Sequence, residues 1–474
     1  MSLPDAARTR LVELLGRRAV VDDPDRLEPY ARDESGLGSY PPDAVALVES
    51  ADEVREVLRM AALDRVPVTP RGAGTGMTGG ALAVEGGVVL STERLARIKE
   101  IDAGNLLAVV EPGVITGQLQ EAVEERGLFY PPDPASLDSC SMGGNIAENA
   151  GGPRAFKYGV TREYVLGLEL MLVGGQRMRV GRRTVKGVTG LDLVALTVGS
   201  EGTLSVVTEI TVKLLPKPQA VCAFMGQFSD PLSATEAVTR IIAGGHLPRT
   251  LEFLDGNVLE HLRRKGGWPI PPEAGALLLV ELDGDAEGIE AQMLRAAEVC
   301  EAAGAVEIHV ATDEARRRQM WEMRRNANPA LKEQHPFKIS EDIVVPRATI
   351  PEMVRRLDRL AAEHDVMIAT FGHAGDGNLH VNVLSDDEGQ TVAGVEPVLA
   401  GIIAHALELG GTLTGEHGVG IAKRRFMALE QQDEVLKLQR ELKRVFDPEG
   451  LLNPGKLLPD PNCGPDGAGG GSKN

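Results

Sequence analysis

Apolar and polar positions follow two different rhythms along this chain. Up to about residue 218 short strands and helices mix. Residues 8–19 carry helical spacing. Ser50-Ala-Asp-Glu53 forms a capping box ahead of Val54, Val57, Leu58 and Ala61, whose spacing predicts a second helix. Val66-Pro-Val-Thr69 predicts a short strand, as do residues 87–91, 106–111, 166–173 and 204–215. A helix over 116–126 is closed by Gly127. Pro216-Lys-Pro218 then punctuates a boundary. Beyond it, helices over 231–244, 286–303, 313–331 and 350–364 alternate with strands over 276–282, 305–310, 341–345 and 366–371. That rhythm predicts an antiparallel sheet covered by helices. Helices over 392–409 and 433–445 follow, and the Pro-, Gly- and Ser-rich stretch 459–474 is expected to be disordered. The fold class is α+β, without an internal repeat.

Composition narrows the classes. With 474 residues, 43% of them hydrophobic, the chain suffices for two or three domains with their own cores. No apolar run reaches the length of a membrane span. Charges are spread through the first helix, with no apolar signal core, so the expected location is the cytoplasm. A net charge of −19 argues against binding duplex nucleic acid, which requires clustered Lys and Arg. Cys140, Cys222, Cys300 and Cys463 are far apart and form no Cys-x-x-Cys, which argues against an intrinsic iron–sulfur cluster or a cysteine zinc site.

Candidate chemistry concentrates in glycine-dense blocks. Pro70-Arg-Gly-Ala-Gly-Thr-Gly76-Met-Thr-Gly-Gly80 contains G-x-G-x-x-G, but a strand follows with no room for a helix, which is not the dinucleotide-binding fingerprint. Consecutive glycine N–H groups still make a nest for a pyrophosphate. A plain Gly-rich turn is the competing reading. Two further clusters, over 141–152 and 199–203, favour a long ligand held at several points. Near the C-terminus, His373-Ala-Gly-Asp-Gly-Asn-Leu-His380 and Gly415-Glu416-His417-Gly418 gather three of the nine histidines among glycines and carboxylates. Imidazole and carboxylate together suit a divalent metal such as Zn²⁺ or Mn²⁺. Glu416 and His417 are adjacent, so their side chains diverge unless the flanking glycines twist the turn.

The ordered set Pro70-Arg-Gly-Ala-Gly-Thr-Gly, Pro131-Pro-Asp-Pro, Gly143-Gly-Asn, Asn149-Ala-Gly-Gly, Tyr158-Gly159 and Gly199-Ser-Glu-Gly-Thr-Leu resembles the PCMH-type FAD-binding domain of the vanillyl-alcohol-oxidase-like flavoproteins. The C-terminal half resembles the FAD-linked 2-hydroxy-acid dehydrogenases, a family that includes the glycolate oxidase flavoprotein subunit, FAD-dependent D-lactate dehydrogenases and D-2-hydroxyglutarate dehydrogenase. The resemblance runs from about residue 40 to 457 and implies an N-terminal helical segment (1–40), an FAD domain (41–218) and a cap domain for substrate and metal (219–425). A segment returning to the flavin (426–458) follows, matched by Asn453-Pro-Gly-Lys456.

Carried over by motif, the flavin contacts expected are Pro70, Arg71, Gly72, Gly74, Thr75 and Gly76 in the first loop and Pro132 and Ser139 in the next. Gly143, Gly144, Asn149, Gly151, Gly152, Tyr158 and Gly159 follow, then Glu201, Gly202, Ile210 and Asn453. Relatives with covalent flavin carry a histidine in the first loop. Here Thr75 stands there and no histidine precedes His246, so the flavin is expected to be noncovalent.

The resemblance assigns His373, His380 and Glu416 to the metal and His417 to the catalytic base. A 2-hydroxy acid can chelate a metal through its carboxylate and hydroxyl, which lowers the hydroxyl pKa and turns Cα–H toward flavin N5. A neutral histidine takes the hydroxyl proton and a hydride passes to FAD. Arg324 and Lys338 are assigned to the substrate carboxylate, where a guanidinium fork is apt. Asn382, two residues past His380 on one strand face, is expected to donate a hydrogen bond to substrate. Arg316, Arg317, Arg318 and Arg325 read as a solvated basic face, and Lys423, Arg424 and Arg425 as facing solvent or a partner subunit.

The implied activity is oxidation of a D-2-hydroxy acid, glycolate or D-lactate first, with electrons passed to a non-nicotinamide acceptor. Candidates are an iron–sulfur subunit, electron-transferring flavoprotein, a quinone or a cytochrome, and partner subunits are the route to a membrane. A homodimer is the base-rate expectation. An O₂-using oxidase, a noncatalytic flavin-holding subunit and a metal-dependent hydrolase remain as alternatives.

Overall fold

The computed structural model describes residues 3–387 and 389–460, so the expectation of disorder over 459–474 falls almost wholly outside the described residues. The chain forms two compact bodies. The first takes residues 1–151, 160–217 and 416–474, and the second takes 152–159 and 218–415.

In the first body, Ala44–Leu47, Val88–Ser91 and Val68–Arg71 pair in parallel, and Val20–Val21 joins antiparallel at one edge. The helix Ala51–Asp64 covers this sheet. Its start is a true cap, with Ser50 Oγ accepting from Glu53 N–H at 3.2 Å. The Glu53 carboxylate accepts from Glu49 N–H at 2.6 Å, one residue earlier than a capping box requires. Val54, Val57, Leu58 and Ala61 bury against Ala44, Ala46, Val88 and Leu90, as helical spacing demands. A five-stranded antiparallel sheet runs Ile98–Asp102, Leu107–Val110, Val206–Lys213, Val165–Met171, Arg177–Gly181. The C-terminal segment rejoins this body: Leu452 bridges in parallel to Val68, and Asn453 N–H donates to Val68 O at 2.7 Å.

The second body is built on a seven-stranded sheet, antiparallel throughout. Its order is Ala305–Val310, Ala220–Phe228, Ala276–Gly284, Thr250–Asp255, Met367–His373, Asn378–Ser385, Phe337–Val344. Both faces are covered. Leu278, Val280 and Phe253 point to the helices Pro231–Ala243, Ile289–Ala302, Ile350–His364 and Glu396–Glu408. Leu277, Leu279 and Leu254 point to Gly256–Lys265, Glu314–Arg325 and Ala327–Gln334. A strand buried on both faces has no polar side, which is why 276–280 reads as an unbroken apolar run.

Several elements differ from expectation. The helix expected over 313–331 is two helices, Glu314–Arg325 and Ala327–Gln334, meeting at Asn326. The strand expected over 341–345 spans Phe337–Val344 and therefore carries Lys338. The strands Ala220–Phe228 and Thr250–Asp255 were not foreseen, while the strand expected to carry His380 and Asn382 spans Asn378–Ser385. Met142–Glu148 is helical despite Gly143 and Gly144, because Ser141 Oγ accepts from Gly144 N–H at 3.3 Å and Asn149 closes the helix at φ +57°. Among the described residues no helix is long and apolar enough to cross a membrane.

Candidate functional site

In the first body the glycine clusters fold onto one another. A Cβ at Gly72 would lie 2.3 Å from Ser141 Oγ, and one at Gly143 would lie 2.7 Å from the Pro112 ring. At Gly76 a Cβ would meet nothing within 4 Å. The loop is thus closed against protein at Gly72 and open at Gly76, a form that fits a phosphate-bearing cofactor such as FAD. Arg71 is turned inward, and its guanidinium donates to Pro29 O at 3.1 Å and Arg32 O at 2.9 Å. It braces the loop through these two carbonyls.

The other residues assigned to flavin have mixed placements. The Pro132 carbonyl accepts from the Gln120 amide at 2.8 Å, and Ser139 is exposed. Asn149 accepts Arg162 N–H at 2.9 Å. Ile210 is a buried ladder residue opposite Val110 and Leu168. Asn453 donates to Gly80 O at 3.0 Å and Glu201 O at 2.7 Å, so it ties together the first loop, the third loop and the C-terminal segment. Gly152, Tyr158 and Gly159 belong to the second body, where the Tyr158 hydroxyl donates to Asp283 at 2.8 Å.

Glu416 and His417 also belong to the first body. Their loop is held from below. Glu201, at φ +51°, accepts from Val419 N–H and Gly420 N–H, each at 2.7 Å. Thr78 Oγ1 donates to the His417 carbonyl at 3.1 Å. Gly418 has φ +81°, and a Cβ there would fall 2.0 Å from Glu148 Oε2, so only glycine fits. Burial, then the charges of Glu201 and Asp33, hold the Glu148 carboxyl well above the ordinary range. Burial brings the Lys456 ammonium down to about 7 despite Glu201, Asp33 and Glu85. Lys423, expected to face solvent or a partner subunit, is only 3% exposed.

In the second body, period-two alternation does the gathering. Glu252, His373, His380, Asn382, Lys338 and Asp342 share strand parity with Leu254, Phe371 and Leu384, whose side chains pack toward the helix bearing Arg324. Register sets the partners. His373 stands opposite Glu252, and His380 opposite Asp342. His373 Nδ1 donates to Glu252 Oε1 at 2.7 Å. Arg324 Nε and Nη2 both meet Glu252 Oε2, at 2.8 and 2.6 Å, and its guanidinium lies over Phe371. His380 Nδ1 is 3.8 Å from Asp342 Oδ1. The two rings are 5.3 Å apart and edge to face. Asp342 in turn accepts from Asn378 at 2.6 Å, Thr414 Oγ1 at 3.0 Å and Gly415 N–H at 2.9 Å. The hairpin turns at Gly377, φ +90°, where a Cβ would strike Val345 O at 2.0 Å.

Two histidines, each facing a buried carboxylate, suit a transition metal, because such carboxylates fix the tautomer and orient the ring. Glu252 stays below the ordinary carboxylate range although burial pushes it up, since His373 and Arg324 more than offset that. Lys338 falls to about 8 through burial and the nearby Lys332. Among the described residues it has no carboxylate partner.

Three expectations change. Arg324 uses its Nε–Nη2 edge on Glu252, so that fork is not open to a substrate. Asn382 donates to Ala369 O and His380 O, both at 3.0 Å, leaving Oδ1 as acceptor and no N–H for a ligand. Arg317, expected to be solvated, pairs with Glu281 at 2.9 Å. Glu252 and Asp342 were missed. A lone carboxylate inside the apolar run Leu251-Glu-Phe-Leu254 was the available signal, hidden because that strand was not recognised.

The fold matches that of p-cresol methylhydroxylase with substrate bound, with TM-score 0.79 and 18% identity over 95% of this chain and 96% of that one. At that identity the likeness shows the shared fold. A family described as FAD binding domain matches residues 42–181, and one described as FAD linked oxidases, C-terminal domain, matches residues 217–457. The chain belongs to this family of FAD-linked oxidoreductases. It is 43% identical to the glycolate oxidase subunit GlcD of Bacillus subtilis, covering 90% of this chain and 92% of that protein. It is 34% identical to the D-lactate dehydrogenase of Anaerostipes hadrus, covering 94% and 95% respectively.

Proposed function

We propose that this chain oxidises glycolate or a D-2-hydroxy acid such as D-lactate to the 2-oxo acid. The observation that carries the reading is the set His373, His380, Arg324 and Lys338 gathered on one face of the C-terminal sheet. Paired imidazoles suit a metal, and two cations suit a carboxylate. The names of the relatives point to the same substrates.

In this reading bound FAD, held noncovalently, supplies the two-electron acceptor, and a Zn²⁺ or Mn²⁺ ion supplies charge to acidify the substrate hydroxyl. His373, His380 and Glu416 are the residues that hold the ion. Lys338 and the Nη1 end of Arg324 orient the carboxylate. His417 takes the hydroxyl proton, and its loop is kept in position by Glu201 and Thr78. Electrons then leave to a non-nicotinamide acceptor, which a subunit partner provides; one relative is itself named a subunit.

The test is an anaerobic visible spectrum of metal-replete protein, recorded before and after glycolate, D-lactate and L-lactate. Bleaching of the flavin band by glycolate or the D-acid, but not the L-acid, is expected. A flavin band that none of these acids bleaches would overturn the substrate assignment.

A further inference from the structure

We propose that Glu252 is the positioning residue of the metal and substrate site, holding His373 and Arg324 in one geometry through opposite oxygens of a single carboxylate. The proposal rests on the reading that His373 binds a metal.

Glu252 is fully buried and lies on the strand Thr250–Asp255, cross-strand from His373. Its Oε1 accepts from His373 Nδ1 at 2.7 Å. An ionised carboxylate only accepts, so the proton sits on Nδ1 and Nε2 is left as a lone-pair donor. That is the tautomer a metal ligand needs. Its Oε2 takes Arg324 Nε at 2.8 Å and Nη2 at 2.6 Å. Phe371, two residues before His373 on the same strand face, supports the guanidinium from one side at 4.7 Å. Arg324 is therefore fixed by three contacts and can offer Nη1 to an incoming carboxylate. A shift of the Glu252 carboxylate would move both the ligand nitrogen and the substrate cation. This coupling is what a chelated 2-hydroxy acid requires, since its carboxylate must meet the ion and the guanidinium together.

A competing role is purely structural: Glu252 would only neutralise a buried arginine. The two roles separate experimentally. Holoprotein is stripped with a chelator, then titrated with Zn²⁺ and, separately, Mn²⁺ under chelator-buffered conditions. The rise in melting temperature on metal addition is recorded alongside. The variants are Glu252→Gln and the double Glu252→Gln/Arg324→Met, which leaves no stranded guanidinium; His373→Asn tests the parent reading. Metal binding 10- to 100-fold weaker in both Glu252 variants is expected, about the effect of losing such a carboxylate. The metal-induced rise in melting temperature shrinks with it, while the flavin band is unchanged. A structural role alone would lower the metal-free melting temperature and leave that rise intact.

Metal affinity within twofold of wild type in both variants, with His373→Asn still abolishing binding, would overturn the proposal and spare the metal reading. No binding by the wild type, or none lost in His373→Asn, would overturn both. Loss of the fold in both Glu252 variants would assign Glu252 to folding and also overturn the proposal.

Discussion

The two bodies prepare their functional groups by opposite means. The first works through backbone. Its loops close because Gly72 and Gly143 have no side chain to keep Ser141 and Pro112 away, and because Gly418 and Glu201 adopt positive φ. The second works through buried side chains. Glu252 and Asp342 are fully buried on a sheet whose two faces pack largely through apolar side chains, and each stands opposite a histidine. A backbone cradle tolerates changes of side chain but not an added Cβ. A buried ionic cluster tolerates little change in charge, since removing one partner strands the other. The lesson is that damage to each body should have its own signature: loss of cofactor from the first, loss of metal or substrate affinity from the second.

The largest expected effect would sharpen this contrast. His417 sits on the backbone-held loop of the first body but is proposed to do side-chain chemistry. His417→Asn should leave flavin bound and slow its reduction by substrate about 10²- to 10⁴-fold, the usual range for removing a general base. Stopped-flow absorbance measures the rate, and reduction within tenfold of wild type would remove His417 from the base role. Next comes Gly143→Ala. The added methyl meets the Pro112 ring at 2.7 Å and its carbonyl at 3.1 Å, both rigid. Overpacking of this kind costs about 1–3 kcal/mol, so the FAD dissociation constant should rise about tenfold or more. Fluorescence titration reads it. Metal affinity should stay unchanged, and a parallel loss of metal would break the contrast.

A third effect is a pH dependence confined to the second body. Burial brings the Lys338 ammonium down to about 8, with Lys332 adding to the shift. Below that pH Lys338 is charged and can meet a carboxylate; above it the charge is lost. KM should therefore climb about tenfold between pH 7 and 9.5, the size expected when a charge-assisted hydrogen bond is lost. That rise in KM should not appear in Lys338→Arg, whose guanidinium keeps its charge. A KM that stays flat in the wild type would remove Lys338 from the substrate site.

What could be read from the sequence follows the same division. Periodicity found the long amphipathic elements, such as Ala51–Asp64 and Ile350–His364, because each buries one stripe and leaves the rest polar. It missed Thr250–Asp255 and Ala220–Phe228, where polar residues such as Glu252 and Gln227 interrupt the apolar positions, so neither an unbroken run nor a clean alternation marks them. The motif histidines stood out through their glycine neighbours. Their carboxylates did not, because Glu252 and His373 are 121 residues apart and become neighbours only through sheet register. Arg324 was read as a free fork for the same reason. A single sequence offers no sign that a distant carboxylate already occupies one edge of it. The helix Met142–Glu148 was obscured by its own glycines, which Ser141 and Asn149 offset at the two ends.

The smallest effect tests whether the first body's backbone control extends to the His417 loop. Thr78 Oγ1 donates to the His417 carbonyl at 3.1 Å, while the Thr78 carbonyl accepts from Ile421 N–H at 2.9 Å and Ala422 N–H at 3.2 Å. Thr78→Val keeps shape and both backbone bonds and deletes only the hydroxyl bond. A single neutral hydrogen bond contributes about 1 kcal/mol, so flavin reduction should slow about fivefold at most. FAD and metal affinity should not change. A slowing near that seen for His417→Asn would mean that one hydroxyl, rather than the pair of Glu201 contacts and the shape of Gly418, sets the position of the loop. The weight of loop control would then move from backbone conformation to a side chain, and the contrast between the two bodies would fail where it matters most for catalysis.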